Sequence, residues 1–354
     1  MNINKSSPVL VTGANGYVAS WVVKRLLDEG LTVHAAVRDP SNKNKVGHLE
    51  EMASASKGQL VLFSADLLKE GSYEEAMAGC ELVYHMASPF VIRGIKDANK
   101  QLIEPALKGT RNVLTSVNNT PSVKRVVLTS SVAAVFGDAK EAKRVGADGF
   151  TEEHWNTTSR IDHQPYDYSK LLAEKEAWLI NKQQSRWDLV VLNPGLIFGP
   201  SFTQNSASTS LSIIREMANG GLSRGVPNVD LFMVDVRDVA TAHINSGYTP
   251  SAKGRHILVS STLPMLDVAK ILKAQYPQFS FPTRELPKLL IWLLGPKTGM
   301  DREYIRKNVG YRLNFDNRYA KQDLGLNFRS IKKTLYEHLD QMIDDGVLER
   351  KMND

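Results

Sequence analysis

One stretch, Val9-Leu-Val-Thr-Gly13-Ala-Asn-Gly16-Tyr-Val-Ala19-Ser-Trp21, constrains the chain most. Val9, Leu10 and Val11 form a short apolar run of the kind buried on both faces of a parallel sheet. Gly13 and Gly16 permit a sharp turn and close approach of the backbone to a bulky anion. Val18, Trp21, Val22, Leu26 and Leu27 then recur at helical spacing. A strand that turns through glycines into a helix aims free N–H groups and the positive helix end at one point, which suits a pyrophosphate. The pattern is G-x-x-G-x-x-A, with Ala19 in place of a third glycine. In isolation it fits an ordinary ligand-free turn equally well. Its position at the head of a long strand–helix alternation is what points to a mononucleotide-binding half.

That alternation continues. Leu31–Val37, Leu60–Phe63, Leu82–Met86, Lys124–Thr129 and Asp188–Asn193 read as strands two to six. A helix is predicted over Asn99–Val117, where Pro105 implies a kink or a late start. Gly137–His163 is polar and irregular, a surface excursion over the site. Past Pro200 the regularity fails. Strands are predicted at Val229–Val236 and Ile257–Ser261, and helices at Asp238–Ser246, Leu266–Gln275 and Ser330–Gly346. The expected fold is α/β, a doubly wound parallel sheet (Rossmann) with a smaller C-terminal substrate lobe. Residues 1–195 would form the dinucleotide-binding domain, with a return to it within about 228–262; 196–227 and 263–354 would form the lobe.

Composition narrows the function. The net charge is +6, but Lys and Arg are dispersed, which argues against nucleic acid and fits a small polyanionic ligand. Cys80 is the only cysteine, so no internal disulfide or cysteine metal cluster can form, and a reducing, cytoplasmic setting is expected. The histidines show no metal-ligand spacing, and no metal is expected. The apolar stretch Leu286–Leu294 carries Lys288 and is too short to span a bilayer; it reads as a core or lid helix, with no membrane role.

Tyr166 and Lys170 lie four apart on a predicted helix and share a face, whereas Tyr168 is only two from Lys170 and points elsewhere. Geometry therefore selects Tyr166. A neighbouring ammonium favours phenolate and would draw the phenol toward a working acid range. Arg38 ends the second strand where an adenosine ribose is read; it suits a 2′-phosphate, whereas Asp39 suits a free 2′-hydroxyl.

The glycine turn, Ser130-Ser131 after the fifth strand and Y-x-x-x-K on the next helix occur in an order that resembles the extended short-chain dehydrogenase/reductases. Val37-Arg38-Asp39-Pro40, Met86-Ala87-Ser88-Pro89, Lys108-Gly109-Thr110, Thr129-Ser130-Ser131, Ala173-Glu174-Lys175, Asn193-Pro194-Gly195 and Phe198-Gly199-Pro200 resemble the dihydroflavonol-4-reductase and cinnamoyl-CoA reductase group. Closer still are its NADPH-dependent aldehyde/ketone reductases. The resemblance implies Tyr166 as proton donor, Lys170 on the nicotinamide ribose and Ser131 on the developing oxyanion, with Ser130 the lesser alternative. It implies NADP(H) bound along Gly13, Asn15, Gly16, Tyr17, Val18, Ala87, Ser88, Thr129, Pro194, Gly195, Leu196 and Ile197. Arg38 and Lys45 would hold the 2′-phosphate, and Asp66 and Leu67 the adenine. Phe90, Ser131, Phe136, Tyr166, Phe202 and Thr203 would line the substrate pocket. Dihydroflavonol reductases usually carry a polar side chain near Phe136, so a compact carbonyl compound is expected in place of a flavonoid. A nucleotide-sugar epimerase or dehydratase, or a non-catalytic dinucleotide sensor, are the alternatives on this scaffold. The partner would be a small carbonyl substrate, and the chain a monomer or homodimer.

Overall fold

The computed structural model describes residues 1–88, 95–146, 148–203, 209–295 and 300–348. Its first half runs β1 (Val9–Thr12), α1 (Tyr17–Asp28), β2 (Thr32–Val37), α2 (Lys43–Ser54), β3 (Gln59–Ser64), α3 (Glu74–Met77), β4 (Leu82–His85), α4 (Glu104–Asn119), β5 (Arg125–Thr129), α5 (Pro165–Asn181) and β6 (Asp188–Pro194). The second half runs β7 (Leu196–Phe198), α6 (Thr209–Ala218), β8 (Asp230–Asp235), α7 (Val236–Tyr248), β9 (Gly254–Leu258), β10 (Ser261–Pro264), α8 (Met265–Gln275), α9 (Lys288–Leu294), α10 (Arg302–Asn308), α11 (Arg318–Asp323) and α12 (Ile331–Asp344). A π-helical turn, Asn99–Ile103, precedes α4, so the helical stretch around Pro105 changes winding there and the proline falls in the first turn of α4.

The main sheet has seven strands in the order β3-β2-β1-β4-β5-β6-β9, every neighbouring pair parallel. From β1 the chain winds outward to β3 and then returns to the other side at β4. The winding therefore reverses between β1 and β4, and the crevice opens at their carboxyl ends. Side-chain alternation divides the core. Val9, Val11 and Ala35 pack toward α1, α2 and α7; Leu10, Ala36 and Val83 pack toward α3, α4 and α5. Cys80 is buried in the second of these layers.

Beyond β6 the stretch 228–262 divides between two sheets. β9 completes the main sheet and α7 packs on α1. β8, however, joins a separate small sheet in the order β10-β8-β7. An apolar run reports burial but not which sheet it enters. Of the two roles expected for the stretch in α9, core or lid helix, the first does not fit: Ile291 is buried, but Leu289 is 70% exposed and Leu290, Trp292, Leu293 and Leu294 also face solvent. Among the described residues no helix is long and apolar enough to cross a membrane.

Arg125 ties the sheet to its C-terminal flank. It is fully buried, makes paired hydrogen bonds with Asp188 at 2.7 and 2.8 Å, and donates to the carbonyls of Ser246 and Thr249. Truncation would leave those acceptors unpaired. Arg125→Ala should lower the unfolding free energy by about 3 kcal/mol, the lower end for breaking a buried pair because Asp188 stays partly solvated. Equilibrium urea unfolding checks this; an unchanged midpoint would contradict it.

Candidate active site

The ends of β1, β2, β4, β5 and β6, together with α5, build the site. At the end of β1 the chain turns through Gly13, whose φ of +63° is in the left-handed region. A Cβ there would lie 3.0 Å from Ala87 Cα, so the glycine is also required by the close approach of the β4 end. Gly16 caps α1, and Asn15 lies between the two glycines. Gly16 leads directly into the N-terminus of α1, whose first-turn N–H groups and positive end fit a pyrophosphate. Tyr17 and Val18 begin α1, but their side chains are engaged elsewhere. The Tyr17 hydroxyl donates to Gly199 O at 2.7 Å, and Val18 packs on the core. Only their backbone can serve an anion.

Arg38 and Lys45 are both exposed, at the end of β2 and in the first turn of α2. The Asp39 carboxylate is turned back onto its own loop, where it accepts from Ser41 N at 3.0 Å and Ser41 Oγ at 2.6 Å. These bonds hold its pKa below the usual carboxylate range. Asp66 accepts from Leu68 N at 2.8 Å, and Leu67 lies close enough to Gly109 that a Cβ there would sit 3.1 Å from it.

At the end of β4, Thr12 Oγ1 accepts from the backbone N–H groups of Met86 and Ala87, each at 3.0 Å. Its own proton is then directed at His85 Nδ1, 3.1 Å away, which leaves the His85 proton on Nε2. Burial, with Lys170 nearby, pushes the His85 pKa down to about 3, so the ring is neutral. Ala87, Ser88, His85, Leu67, Thr129 and Ser130 line one cavity with Lys170.

Lys170 is buried on α5 and donates to Ser88 Oγ at 3.0 Å. Its Nζ lies 6.0 Å from the Tyr166 ring centre. Burial pushes its pKa down to about 8, opposed by the Glu174 carboxylate one turn on. Tyr166 corrects the expected direction. Burial, with Asp167 adding to it, raises the phenol pKa above its ordinary value. Desolvation outweighs the ammonium at this range. The phenol therefore stays protonated through neutral pH, the form a proton donor needs.

The two serines part company. Ser130 is buried and its hydroxyl donates to Glu174 Oε2 at 2.5 Å. Ser131 is half-buried and caps a short 3-10 turn, Val132–Ala134; its Oγ accepts from Ala133 N at 3.2 Å, which leaves its proton available. α5 packs directly on that turn. Thr129 points its hydroxyl at His243 Nε2, 2.7 Å away.

Glu174, which the sequence offered only as part of a family motif, is the centre of a buried network. It also accepts from Asn193 Nδ2 at 2.8 Å and from Arg255 Nε at 2.5 Å. Arg255 in turn lies 3.9 Å from the Trp155 ring centre. The K-x-x-x-E spacing could have revealed Glu174 as a neighbour of Lys170 on the same face. Nothing in the local sequence marks Arg255, which arrives from β9.

Pro194 ends β6, and Gly195 permits the turn into β7, since a Cβ there would meet Phe232 O at 2.4 Å. Leu196 packs toward the small lobe and Ile197 toward the main core. Two residues expected at the substrate pocket pack against other rings. Phe136 is buried in an aromatic cluster with Phe150, Phe232 and Phe315, at ring separations of 5.2–5.4 Å. Phe202 stacks on Trp21 of α1 at 4.4 Å. Thr203 closes a local turn with Ser201. Phe90 lies outside the described residues. Among the described residues no group of three His, Cys, Asp or Glu is placed to hold a metal ion.

The fold is that of a dinucleotide-dependent enzyme. Residues 9–259 match the model of the NAD dependent epimerase/dehydratase family. The chain is 43% identical over 284 residues to a cinnamoyl-CoA reductase of Medicago truncatula, covering 79% of this chain and 84% of that protein. It is 33% identical to tetraketide alpha-pyrone reductase 1 of Arabidopsis thaliana, with 96% of both chains covered. Among solved structures, yeast methylglyoxal/isovaleraldehyde reductase complexed with NADPH superposes with a TM-score of 0.76 at 28% identity, covering 96% of this chain and 100% of that one. The chain belongs to the NAD dependent epimerase/dehydratase family, as an oxidoreductase of the extended short-chain type acting on carbonyl or alcohol groups.

The Lys170 shift generates a pH prediction. The ammonium is present below about pH 8 and lost above it. The kcat/KM for carbonyl reduction should therefore fall as pH rises through that value, and Lys170→Arg, whose guanidinium stays charged, should remove the limb. A pH–rate profile flat through the alkaline range in the unmodified enzyme would contradict the assignment.

Proposed function

We propose that this protein reduces a compact aldehyde or ketone to the alcohol with NADPH, and that Tyr166 donates the proton. The observation that carries the reading is the α5 face on which Lys170 bridges to Ser88 beneath a protonated Tyr166, packed on the turn capped by Ser131. The bound cofactor supplies a hydride to the carbonyl carbon. The charge that develops on the carbonyl oxygen is met by the Ser131 hydroxyl and the Tyr166 phenol. Tyr166 then gives up its proton, and the phenolate that remains is stabilised by the Lys170 ammonium. Lys170 also has protons to offer a ribose hydroxyl while it holds Ser88.

The preference for NADPH rests on Arg38 and Lys45, which are free to meet a 2′-phosphate, and on Asp39, which is turned into its own loop. A guanidinium can form paired bonds to phosphate. The relatives named as reductases, matched over most of their length, favour this reading over a nucleotide-sugar epimerase. Phe136 is buried among other aromatic rings, so the apolar, compact character of the substrate rests on the likeness to the methylglyoxal/isovaleraldehyde reductase.

Tyr166→Phe should abolish most turnover and leave NADPH binding nearly intact, whereas Tyr168→Phe should be mild. Near-normal activity in the first variant, or collapse in the second, would place the acid elsewhere. Arg38→Ala should raise the KM for NADPH by roughly ten- to a hundredfold, the effect of losing one charged hydrogen-bond partner, with the KM for NADH almost unchanged. Parallel kinetics with both cofactors measure this; an equal change in the two would remove Arg38 from phosphate recognition.

A further inference from the structure

Gln164 is the one non-glycine residue with positive φ among the described residues, at φ 55° and ψ 57°. L side chains disfavour this left-handed region, and glutamine has none of the local hydrogen-bonding ability that lets asparagine adopt it. The residue stands two positions before Tyr166. It caps α5, its carbonyl accepts from Tyr168 N at 3.0 Å, and Pro165 follows it at the first helical position. The direction in which the helix leaves this turn decides where the Tyr166 hydroxyl sits.

The turn is fastened by one carboxylate. Asp138 is 1% exposed, in the loop after β5. Its Oδ1 accepts from Gln164 Nε2 at 3.0 Å, from Asn308 Nδ2 at 3.0 Å, and pairs with His163 Nε2 at 2.7 Å. Its Oδ2 pairs with Lys307 Nζ at 3.0 Å. The neighbouring Ala139 N donates to Asn308 Oδ1 at 2.8 Å. Lys307 and Asn308 belong to α10, so one buried group ties the strand end that carries Ser131, the turn ahead of Tyr166 and a helix of the C-terminal part of the chain.

Given the reductase reading, we propose that Asp138 is a positioning residue for catalysis: through Gln164 it holds the left-handed turn that launches α5 and so places the Tyr166 hydroxyl. It touches neither cofactor nor substrate. Small misplacement of a reacting group costs rate steeply, while cofactor binding at the glycine turn and Arg38 stays as it was.

A double-mutant cycle tests this. Asp138→Ala and Gln164→Gly, the second keeping the left-handed turn accessible but removing its tether, should each lower kcat on the order of tenfold or more with little change in the Kd for NADPH. The double variant should be no worse than about twofold below the poorer single variant, since both changes remove one linkage. Asp138→Asn, which keeps an oxygen for Gln164, should retain more kcat than Asp138→Ala. Unchanged kcat in folded Asp138→Ala, or losses that multiply in the double variant, would overturn the proposal. If Asp138→Ala does not fold, Gln164→Gly alone decides: normal kcat rejects the role. Tyr166→Phe measured alongside separates the two ideas. An active Tyr166→Phe removes the acid assignment itself, whereas an inactive one beside fully active Asp138→Ala and Gln164→Gly removes only the positioning role.

Discussion

The buried carboxylate of Glu174 is the interaction on which the site depends. It takes hydrogen bonds from Ser130 at the end of β5, Asn193 near the end of β6 and Arg255 on β9, and it is carried by the helix that also carries Lys170. The end of β5, β6, β9 and α5 are thereby locked at one point. A buried charge of this kind costs desolvation and is tolerated only with complete pairing; removing one partner is strongly destabilising. The same carboxylate opposes the loss of charge that burial imposes on Lys170. It also explains the division of labour between adjacent serines: Ser130 is consumed as a strut, and Ser131, one residue on, keeps its proton for the cleft.

From that point the chemistry follows by burial. Tyr166 and Lys170 are both withdrawn from water, and burial favours the neutral form of each. For the phenol this keeps the proton that the proposed mechanism delivers. For the lysine it places the loss of charge near the top of the physiological range, so that the pair is competent at neutral pH and vulnerable to alkali. The glycine turn at β1 and the reversal of winding between β1 and β4 set where a dinucleotide can lie relative to this pair.

Much of this was legible in the sequence, because its signals are local. The parallel sheet up to β6 follows from apolar runs and their turns, and the Tyr166–Lys170 face follows from helical spacing. What was not legible depends on partners distant in the chain. β8 reads as a strand, but only its pairing with β7 and β10 shows that it leaves the main sheet. Phe136 reads as a pocket residue by position, yet Phe150, Phe232 and Phe315 arrive from three other segments to enclose it. The Tyr166 shift was expected in the wrong direction because spacing reports the neighbouring ammonium and not the loss of water around the ring. Arg255 and Asp138 are ordinary charged residues until the fold closes around them.

The most direct test is the reaction of the unmodified protein with NADPH and a panel of compact aldehydes and ketones, following cofactor oxidation together with alcohol formation. The account predicts one alcohol formed per NADPH oxidised, with a higher kcat/KM for NADPH than for NADH. No alcohol from any carbonyl in the panel, with interconversion of a nucleotide sugar instead, would contradict it.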